Sequence, residues 1–448
     1  MGNPVVGAVR RLFRWDYRME PRIGWLSPMP PAPTGIASYS KAVLEGLERI
    51  GYTPARHTIE PVWPLEPRHE GRVPWYSMCI YHLGNNVEFH RDIYRHAVQT
   101  PGVVVIHDLA LDDFVRGMIS AGDPLGYQAE REALANAPKL AGIPDAVHNE
   151  PLRIPWVAHV ARRARGIVVH SEFGRRYLRA FGCRTPVFVA PHPAVESEAS
   201  VNRAEGRRAV LRGGLEAQGM RSLVGVFGDL NAAKLIDVVC EAVARLPESV
   251  HLALVGRRIT GYEADTVVAS SGLGGRVTLL PDVSDEDFLA WMCAADVAVD
   301  LRFPHRGEVS GSLTRAMQCG RPTIVSGTGT YLDLSHDLVL HVSPGRVGAV
   351  ELAAAIGRLV DDPDLQARMG GRAREHMRDL ARSDRTAHTY AEAIDRTLAL
   401  LTDPRRRALA RWGGALADLG ATAEHLDRGY GLAYTHALDE LAPPAGPK

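Results

Sequence analysis

Short, continuous apolar runs alternate along the chain with segments in which apolar residues recur at helical spacing. In the first half these runs lie at 22–26, 103–106, 167–169 and 187–190, and a helix is predicted from Gly35 through Ile50. Apolar runs of strand length without polar alternation are typical of parallel strands that are buried on both faces. The first half is therefore predicted to have an α/β structure.

The same alternation returns from residue 223 onward, where helical segments again separate apolar runs. These runs lie at 223–227, 251–255, 277–280, 297–299, 323–325 and 339–342. Two doubly wound, Rossmann-like halves are therefore expected, facing each other across a cleft. Ligands of such folds bind outside the carboxyl ends of the strands, beside helix N-termini.

The segment between the halves, 196–220, is poor in apolar residues, so it is interpreted as the interdomain linker. Helical patterns in 113–156, where a short connection would suffice, indicate a lid or an acceptor-side insertion. A long helix is predicted from about Ala387 to Leu401. The predicted organisation is a basic extension at 1–21, an N-terminal domain at 22–195, the linker at 196–220, a C-terminal donor domain at 221–383, and a crossover helix with tail at 384–448.

The composition excludes several classes of protein. With 448 residues, 46% of them hydrophobic, the chain is long enough for two cores and is not disordered overall. Lys plus Arg and Asp plus Glu number 52 each, so the chain lacks the positive field that non-specific nucleic-acid binding requires. Five scattered cysteines indicate reduced thiols, and no apolar run reaches the roughly 18–20 residues of a membrane span. We therefore expect a soluble cytoplasmic protein with no nucleic-acid partner.

The N-terminal segment 5–15 is basic and amphipathic, with Arg10, Arg11 and Arg14 among apolar residues. One interpretation is a frayed extension with a solvated face. The other is a weak peripheral contact with the anionic inner face of a membrane. The sequence leaves both open.

The strongest candidate for chemistry is the block from Glu308 to Pro322. Small residues at 310–312 precede a helix that Gly320 and Pro322 close. Backbone N–H groups at Gly311 and Ser312 would then be free to bind a phosphate, which the helix dipole also favours. Glu308 could accept hydrogen bonds from sugar hydroxyls. The alternative is an ordinary helix with a serine cap and a solvated acid.

Together with five other motifs, this block resembles the retaining glycosyltransferases of family 4, which have the GT-B fold. The resemblance covers roughly residues 22 to 400 and depends on the order and spacing of the motifs. They are PTGIA at 33–37, VIHD at 105–108, VHSEF at 169–173, VFG at 226–228 with Lys234, and LVG at 254–256.

The resemblance implies a role for each matching residue. The Gly35 loop, with Ile36, approaches the donor diphosphate, where a residue without Cβ fits closely. His107 lies near the transferred sugar, and Lys234 neutralises the diphosphate. Glu308 holds the sugar, so that His107 and Glu308 form the catalytic pair. The remaining donor-binding candidates are Gly228, Val283, Ser310, Gly311 and Ser312. The resemblance implies no metal and no resident cofactor, since the nucleoside-diphosphate sugar is a substrate.

Two positions depart from the family pattern. Asp229 stands where the family has a basic residue, and Arg302 or Arg306 is a candidate for the second positive charge. Arg315 stands where the family has a second glutamate that contacts ribose. How the ribose is held is therefore left open, and the spacing to Glu308 is one residue short of the family pattern.

Two further motifs have competing interpretations. Gly84 and Asn85 at a strand end suit a cleft-lining turn that offers amide donors to a sugar, or equally a plain turn. Asp362-Pro363-Asp364 resembles the metal-binding DxD of another glycosyltransferase fold. Because a helical pattern follows directly, Asp362 is interpreted as a helix cap.

We therefore predict an α/β protein of GT-B type, with two Rossmann-like domains. It transfers a sugar, with retention, from a nucleoside-diphosphate sugar to an acceptor that the sequence does not identify. The alternatives are a catalytically silent GT-B scaffold and a nucleotide-sugar epimerase or hydrolase of the same fold. The sequence indicates neither the sugar nor the oligomeric state.

Overall fold

A computed structural model describes residues 21–53, 55–65, 76–135 and 150–402. The chain divides after Ala391 into two compact units, and both β-sheets belong to the first. The described part of the second unit, residues 392–402, is helical. Segment 5–15, with its predicted membrane contact, lies outside the described residues.

The first sheet has six parallel strands in the order β2-β1-β3-β4-β5-β6. The strands are β1 Arg22–Leu26, β2 Thr58–Pro61, β3 Met78–Leu83, β4 Val103–Ile106, β5 Gly166–Val169 and β6 Val187–Val189. The central strands β3, β4 and β5 are buried along their whole length, as expected for a parallel sheet covered on both faces. We call this sheet with its helices the N-lobe.

The N-lobe helices connect successive strands. They are α1 Gly35–Arg49, α2 Val87–Gln99, α3 Asp112–Ser120, α4 Pro124–Ala135, α5 Ala158–Arg163 and α6 Glu172–Ala180. Several of them are capped by a side-chain oxygen at the N-terminus. The hydroxyl of Thr34 accepts a hydrogen bond from the amide of Ile36, and that of Ser171 accepts one from the amide of Gly174. Helices α3 and α4 occupy the predicted insertion at 113–156, of which residues 136–149 are outside the described part.

The second sheet also has six parallel strands, in the order β12-β11-β10-β7-β8-β9. The strands are β7 Ser222–Phe227, β8 Val250–Gly256, β9 Val277–Pro281, β10 Val297–Asp300, β11 Thr323–Ser326 and β12 Leu340–Val342. Numbered from its own first strand, this is the 3-2-1-4-5-6 order of Rossmann domains. We call this sheet with its helices the C-lobe.

The remaining helices follow in chain order. They are α7 Glu198–Glu216, α8 Ile236–Ala244, α9 Ala264–Ser270, α10 Asp285–Ala294, α11 Gly311–Gln318, α12 Ala349–Val360, α13 Pro363–Arg382 and α14 Arg385–Thr402. Asp362 caps α13 by accepting the amide of Leu365, at 2.8 Å, as predicted.

The α/β class and the two doubly wound sheets are confirmed, and each predicted apolar run is a strand within one or two residues. Strand β2 was not predicted. The segment interpreted as a linker contains the 19-residue helix α7. Its Val201 and Leu215 join a buried cluster with Leu289 of α10, so a few well-placed apolar residues anchor it to the C-lobe. No helix in the described part of the chain is long and apolar enough to cross a membrane.

Candidate active site

The site lies where the strand order of each sheet reverses. In the C-lobe, β7 pairs with both β8 and β10, so its crossovers leave in opposite directions and open a crevice at the carboxyl ends. In the N-lobe the corresponding point lies between β1 and β3. Gly228 and Asp300 stand at the first opening, and Gly35 and Gly84 at the second.

Glycines allow a close approach of backbones at the C-lobe opening. Gly256 has φ +153°, and a Cβ at this position would lie 1.9 Å from the carbonyl oxygen of Gly228. Gly228 has φ +93°, and a Cβ there would lie 3.4 Å from Ser312 Oγ and 3.6 Å from Lys234 Nζ. The structure therefore brings together Gly228, Lys234 and Ser312, three of the predicted donor-binding residues.

Asp300, which the sequence analysis did not identify, organises this opening. Its carboxylate accepts hydrogen bonds from Lys234 Nζ at 3.1 Å, Ser312 Oγ at 3.0 Å and Tyr331 Oη at 2.9 Å. Arg302 lies 3.4 Å from the same carboxylate. An acidic residue that ends a buried apolar strand was the signal available in the sequence.

Lys234, Asp300 and Arg302, which we call the charge cluster, are strongly desolvated. Lys234 is only 1% exposed, and its burial together with the nearby Arg302 lowers its pKa to about 8. Burial alone would raise the pKa of Asp300, but Arg302 and Lys234 outweigh it and hold the pKa below its ordinary value. At neutral pH the lysine is thus largely protonated and paired, and the aspartate is ionised.

Glu308 lies at the edge of the same cluster. Its carboxylate accepts the backbone N–H of Arg306 at 2.8 Å and lies 3.4 Å from Arg302 Nε. Burial opposes its ionisation, but His305 and Arg302 lower the pKa of Glu308 below its ordinary value. The carboxylate is therefore charged, partly exposed, and able to accept further hydrogen bonds.

Ser310 caps helix α11 by accepting the amide of Leu313, and its hydroxyl lies 3.0 Å from that of Ser312. The amides of Gly311 and Ser312 are in the first turn, so they have no intrahelical acceptor. Val283 follows β9 and packs against the cluster formed by α7 and α10.

Across the cleft, three imidazoles of the N-lobe form a hydrogen-bonded chain. His107 Nε2 lies 3.0 Å from His82 Nδ1, and His107 Nδ1 lies 3.0 Å from His170 Nε2. His170 Nδ1 lies 3.2 Å from the carbonyl oxygen of Ala190, which can only accept. This end point assigns the proton of all three rings to Nδ1 and leaves His82 Nε2 as an acceptor that has no partner among the described residues.

Burial keeps this histidine chain neutral. It lowers the pKa of His170 to about 3 and holds those of His82 and His107 well below the ordinary value. Tyr39 packs edge-on against His107, with ring centroids 4.9 Å apart. The ring of His107, which is partly exposed at the end of β4, is thus held in one orientation and one tautomer.

Asp108, the last residue of the VIHD motif, is a further acidic group at the site. Its Oδ2 accepts the amide of Asn85 at 2.9 Å. Burial and the nearby Glu308 raise its pKa to about 7. A carboxyl that titrates near neutral pH therefore lies at the N-lobe side of the cleft.

Gly35 and Ile36 begin α1 at the N-lobe opening. A Cβ on Gly35 would meet nothing within 4 Å, so the protein itself does not require glycine there. A Cβ on Gly84 would lie 2.6 Å from Ile36 Cδ1, which explains the glycine at that position. The side chain of Asn85 is used within the protein, since it accepts the amide of Phe114 at 2.9 Å and donates to Asp113 at 3.1 Å.

The two candidates for a second positive charge are both paired. Arg302 lies between Asp300 and Glu308. Arg306 reaches the N-lobe, where it donates to Asp112 at 2.8 and 3.2 Å, and its carbonyl accepts the amide of Leu109 at 2.9 Å. Arg306 thus joins the lobes.

The two departures from the family pattern each have a partner of opposite charge. Arg257 makes a bidentate pair with Asp229, at 2.8 and 2.9 Å. Arg315 donates to Glu196 at 2.8 Å, and both line a cavity of about 700 Å³ beside α11 and α13.

The comparisons with known proteins agree with this geometry. The sequence model of the family described as Glycosyl transferases group 1 matches residues 221–362, which include all six C-lobe strands. D-inositol 3-phosphate glycosyltransferase of Mycobacterium sp. (strain KMS) is 28% identical over 185 residues, 40% of this chain and 41% of the relative. The 2-deoxystreptamine glucosyltransferase of Streptomyces kanamyceticus is 29% identical over 209 residues, 45% and 53% of the two chains. The chain thus spans about half the length of these curated relatives.

Solved structures show the same fold over most of the chain. Sucrose-phosphate synthase of Thermosynechococcus elongatus has a TM-score of 0.59 at 18% identity, covering 85% of this chain and 99% of that one. HepE of Anabaena, in complex with UDP-glucose, has a TM-score of 0.55 at 18% identity with the same coverage. Residues 221–362 therefore form a glycosyl transferases group 1 domain, and the two sheets of the chain make a GT-B fold.

Proposed function

We propose that this protein is a retaining glycosyltransferase that moves a sugar from a nucleoside-diphosphate donor to an acceptor. The observation that carries the proposal is the meeting of Gly228, Lys234 and Ser312 at the switch point of the second sheet, with Glu308 connected to them through Arg302. Such a crevice at strand carboxyl ends is where α/β sheets bind nucleotides. The family of the C-lobe and the UDP-glucose complex of a protein with the same fold support this assignment.

Lys234 and the first turn of α11 are assigned to the leaving diphosphate. As the glycosidic bond breaks, negative charge grows on the departing diphosphate. Lys234 and the amides of Gly311 and Ser312 would stabilise that charge without reorganising, which is electrostatic preorganisation. The acceptor hydroxyl attacks on the departing face, and the leaving phosphate oxygen accepts its proton, so that configuration is retained.

The sugar would be held between the lobes. Glu308 is ionised and would accept hydrogen bonds from sugar hydroxyls. His107 would lie against the sugar from the N-lobe, and its two ring nitrogens, hydrogen-bonded to His82 and His170, hold the ring in one orientation. The donor is a substrate, and we propose no resident metal or cofactor.

The names of the relatives guide the choice of substrates to test. Two of them are named for the cyclic polyhydroxylated acceptors D-inositol 3-phosphate and 2-deoxystreptamine. A UDP-sugar donor and a small cyclitol acceptor are therefore the first combination to examine.

The test is a mass-spectrometric screen of common nucleotide sugars, first alone and then with cyclitol acceptors. Release of nucleoside diphosphate with glycosylated product, whose anomeric configuration NMR defines, supports the proposal. Binding of donor without turnover would indicate the silent scaffold. An epimerised sugar or hydrolysis alone would indicate the epimerase or hydrolase.

We also propose a cytoplasmic location with a weak membrane contact through residues 5–15. Flotation with anionic lipid vesicles at low and high salt tests this contact, and deletion of residues 1–18 should abolish it. A full-length protein that ignores such vesicles at low salt would contradict it.

A further inference from the structure

Arg257 connects the two lobes at the opening beside Gly228. It follows Gly256 at the end of β8, and its guanidinium donates hydrogen bonds to both carboxylate oxygens of Asp229. The same guanidinium donates to the carbonyl oxygen of Pro33 in the N-lobe. Pro33 directly precedes Thr34 and Gly35, the start of α1. One arginine therefore reaches both loops that border the candidate donor site.

Arg257 is more accessible than Lys234, Arg302 and Arg306, the other cations named for this opening. Its side chain is 42% exposed, compared with 1% for Lys234, 14% for Arg302 and 22% for Arg306. Each of those three is paired with a carboxylate of low exposure, Asp300 for Lys234 and Arg302 and Asp112 for Arg306. The partner of Arg257, Asp229, is itself 41% exposed. The Arg257 guanidinium therefore remains accessible to an anionic ligand while it is paired with Asp229.

The position of Asp229 ties Arg257 to the charge cluster. Asp229 follows Gly228, and a Cβ on Gly228 would lie 3.6 Å from Lys234 Nζ. Burial is the largest influence on the pKa values of Lys234 and Arg302 and lowers both, whereas the Asp229 carboxylate contributes to raising them. The Arg257 guanidinium is thus paired with the residue that follows Gly228, the glycine that lies against Lys234 and Ser312.

We propose that Arg257, positioned by Asp229, is the second cation that contacts the donor diphosphate, and that it exchanges its bond to Pro33 for a phosphate oxygen. The planar fork of arginine matches a phosphate bidentately, which a lysine does not. The inference deepens the proposed function and depends on it. The acidic residue at 229 is then the anchor for a cation supplied by the neighbouring strand.

The test is calorimetric titration of the full chain with UDP, GDP and ADP at low salt. We expect Arg257→Ala to weaken the nucleotide that the wild type prefers by about 10- to 100-fold. Arg257→Lys should recover only part of the loss. Arg258→Ala is the matched control, because Arg258 is similarly exposed but pairs with Asp265 at 2.9 and 3.1 Å. It should bind as the wild type does.

Asp229→Ala separates a ligand contact from a purely structural ion pair. If the pair only supports the turn, loss of either partner should weaken binding equally. If Arg257 contacts phosphate, Asp229→Ala removes a negative charge and should weaken binding far less than Arg257→Ala. Equal affinity of Arg257→Ala and wild type overturns the inference and leaves the proposed function intact. Failure of the wild type to bind any of the three nucleotides overturns both.

Discussion

Among single residues, Glu308 gives the sharpest test of the proposed reaction. Glu308→Gln retains the shape of the side chain and removes the charge that Arg302 and the Arg306 amide surround. Loss of a charge-assisted contact that tightens in the transition state costs about 2–4 kcal/mol, so we expect turnover to fall about 30- to 1,000-fold. Steady-state kinetics measure this, and binding of the nucleotide product should be unchanged.

The control for that substitution is Glu248→Gln, on the exposed turn that precedes β8 at the opposite end of the sheet. It should have wild-type activity. Activity of Glu308→Gln within about threefold of the wild type would mean that Glu308 does not contact the reacting sugar.

Lys234 has a structural role in addition to its proposed contact with diphosphate. Lys234→Ala would leave the buried Asp300 with Arg302, Tyr331 and Ser312 but without its ammonium partner. Breaking a buried pair typically costs about 3–5 kcal/mol, and the remaining partners should reduce this to roughly 2–4 kcal/mol. Urea unfolding measures the change in the free energy of unfolding.

A double variant checks the origin of that loss. Lys234→Ala with Asp300→Asn removes the uncompensated charge, so it should be less destabilised than the sum of the two single variants. Additive effects would show that Lys234 and Asp300 do not stabilise each other.

At the scale of elements, glycines in two settings should respond to alanine with opposite signs. Gly256→Ala would place Cβ against the Gly228 carbonyl at 1.9 Å, at a φ of +153° that L-residues rarely adopt. We expect the ends of β7 and β8 to separate, with a loss of roughly 2–4 kcal/mol in the free energy of unfolding and weaker nucleotide binding.

Gly213→Ala is the matched alanine substitution in an exposed helix. Gly213 lies within α7, and a Cβ there meets nothing within 4 Å. Helix propensity then predicts a gain of roughly 0.5–1 kcal/mol. Thermal unfolding of the two variants measures the contrast, and a Gly256→Ala protein as stable as the wild type would contradict the described contact.

At the scale of the whole molecule, buried histidines should make the fold sensitive to acid. Burial lowers the pKa of His90 to about 4 in the folded protein. In the unfolded chain this histidine binds a proton near pH 6.5, whereas in the folded protein it stays neutral until the pH approaches 4. Stability from this group is complete above pH 6.5 and is lost as the pH falls toward 4, by about 2 kcal/mol at pH 5. His82, His107, His170 and His192 act in the same direction.

Two carboxyls oppose this effect. Burial raises the pKa of Asp108 and of Glu130 to about 7, so their contribution is present at low pH and is lost as the pH rises through 7. The contribution of a single histidine to the pH dependence of stability is therefore measured by substituting that histidine. We expect His90→Gln to lose about 2 kcal/mol less than the wild type between pH 7 and pH 5, by urea unfolding at each pH. His388→Gln, at an exposed position, should behave as the wild type.

Local patterns in the sequence were sufficient to predict most elements. Buried parallel strands are continuous apolar runs, and helix starts carry an oxygen side chain, as at Thr34, Ser171 and Asp362. Both signals depend on residues within a few positions of each other. Strand β2 was missed because it is short and largely exposed, and α7 because few apolar residues anchor it.

The order of the motifs, and the presence of Gly228, Lys234, Glu308 and Ser312 in one lobe, were also predictable from the amino-acid sequence. The partners of the individual side chains were not, because they depend on how the strands are arranged in space. The paired residues are tens of positions apart along the chain. The pairs are Asp300 with Lys234, Arg257 with Asp229, and His107 with both His82 and His170. In a parallel sheet each strand is followed by a crossover helix, so neighbours at the carboxyl ends are distant in sequence. Their pairing depends on strand order and burial, which no local pattern encodes.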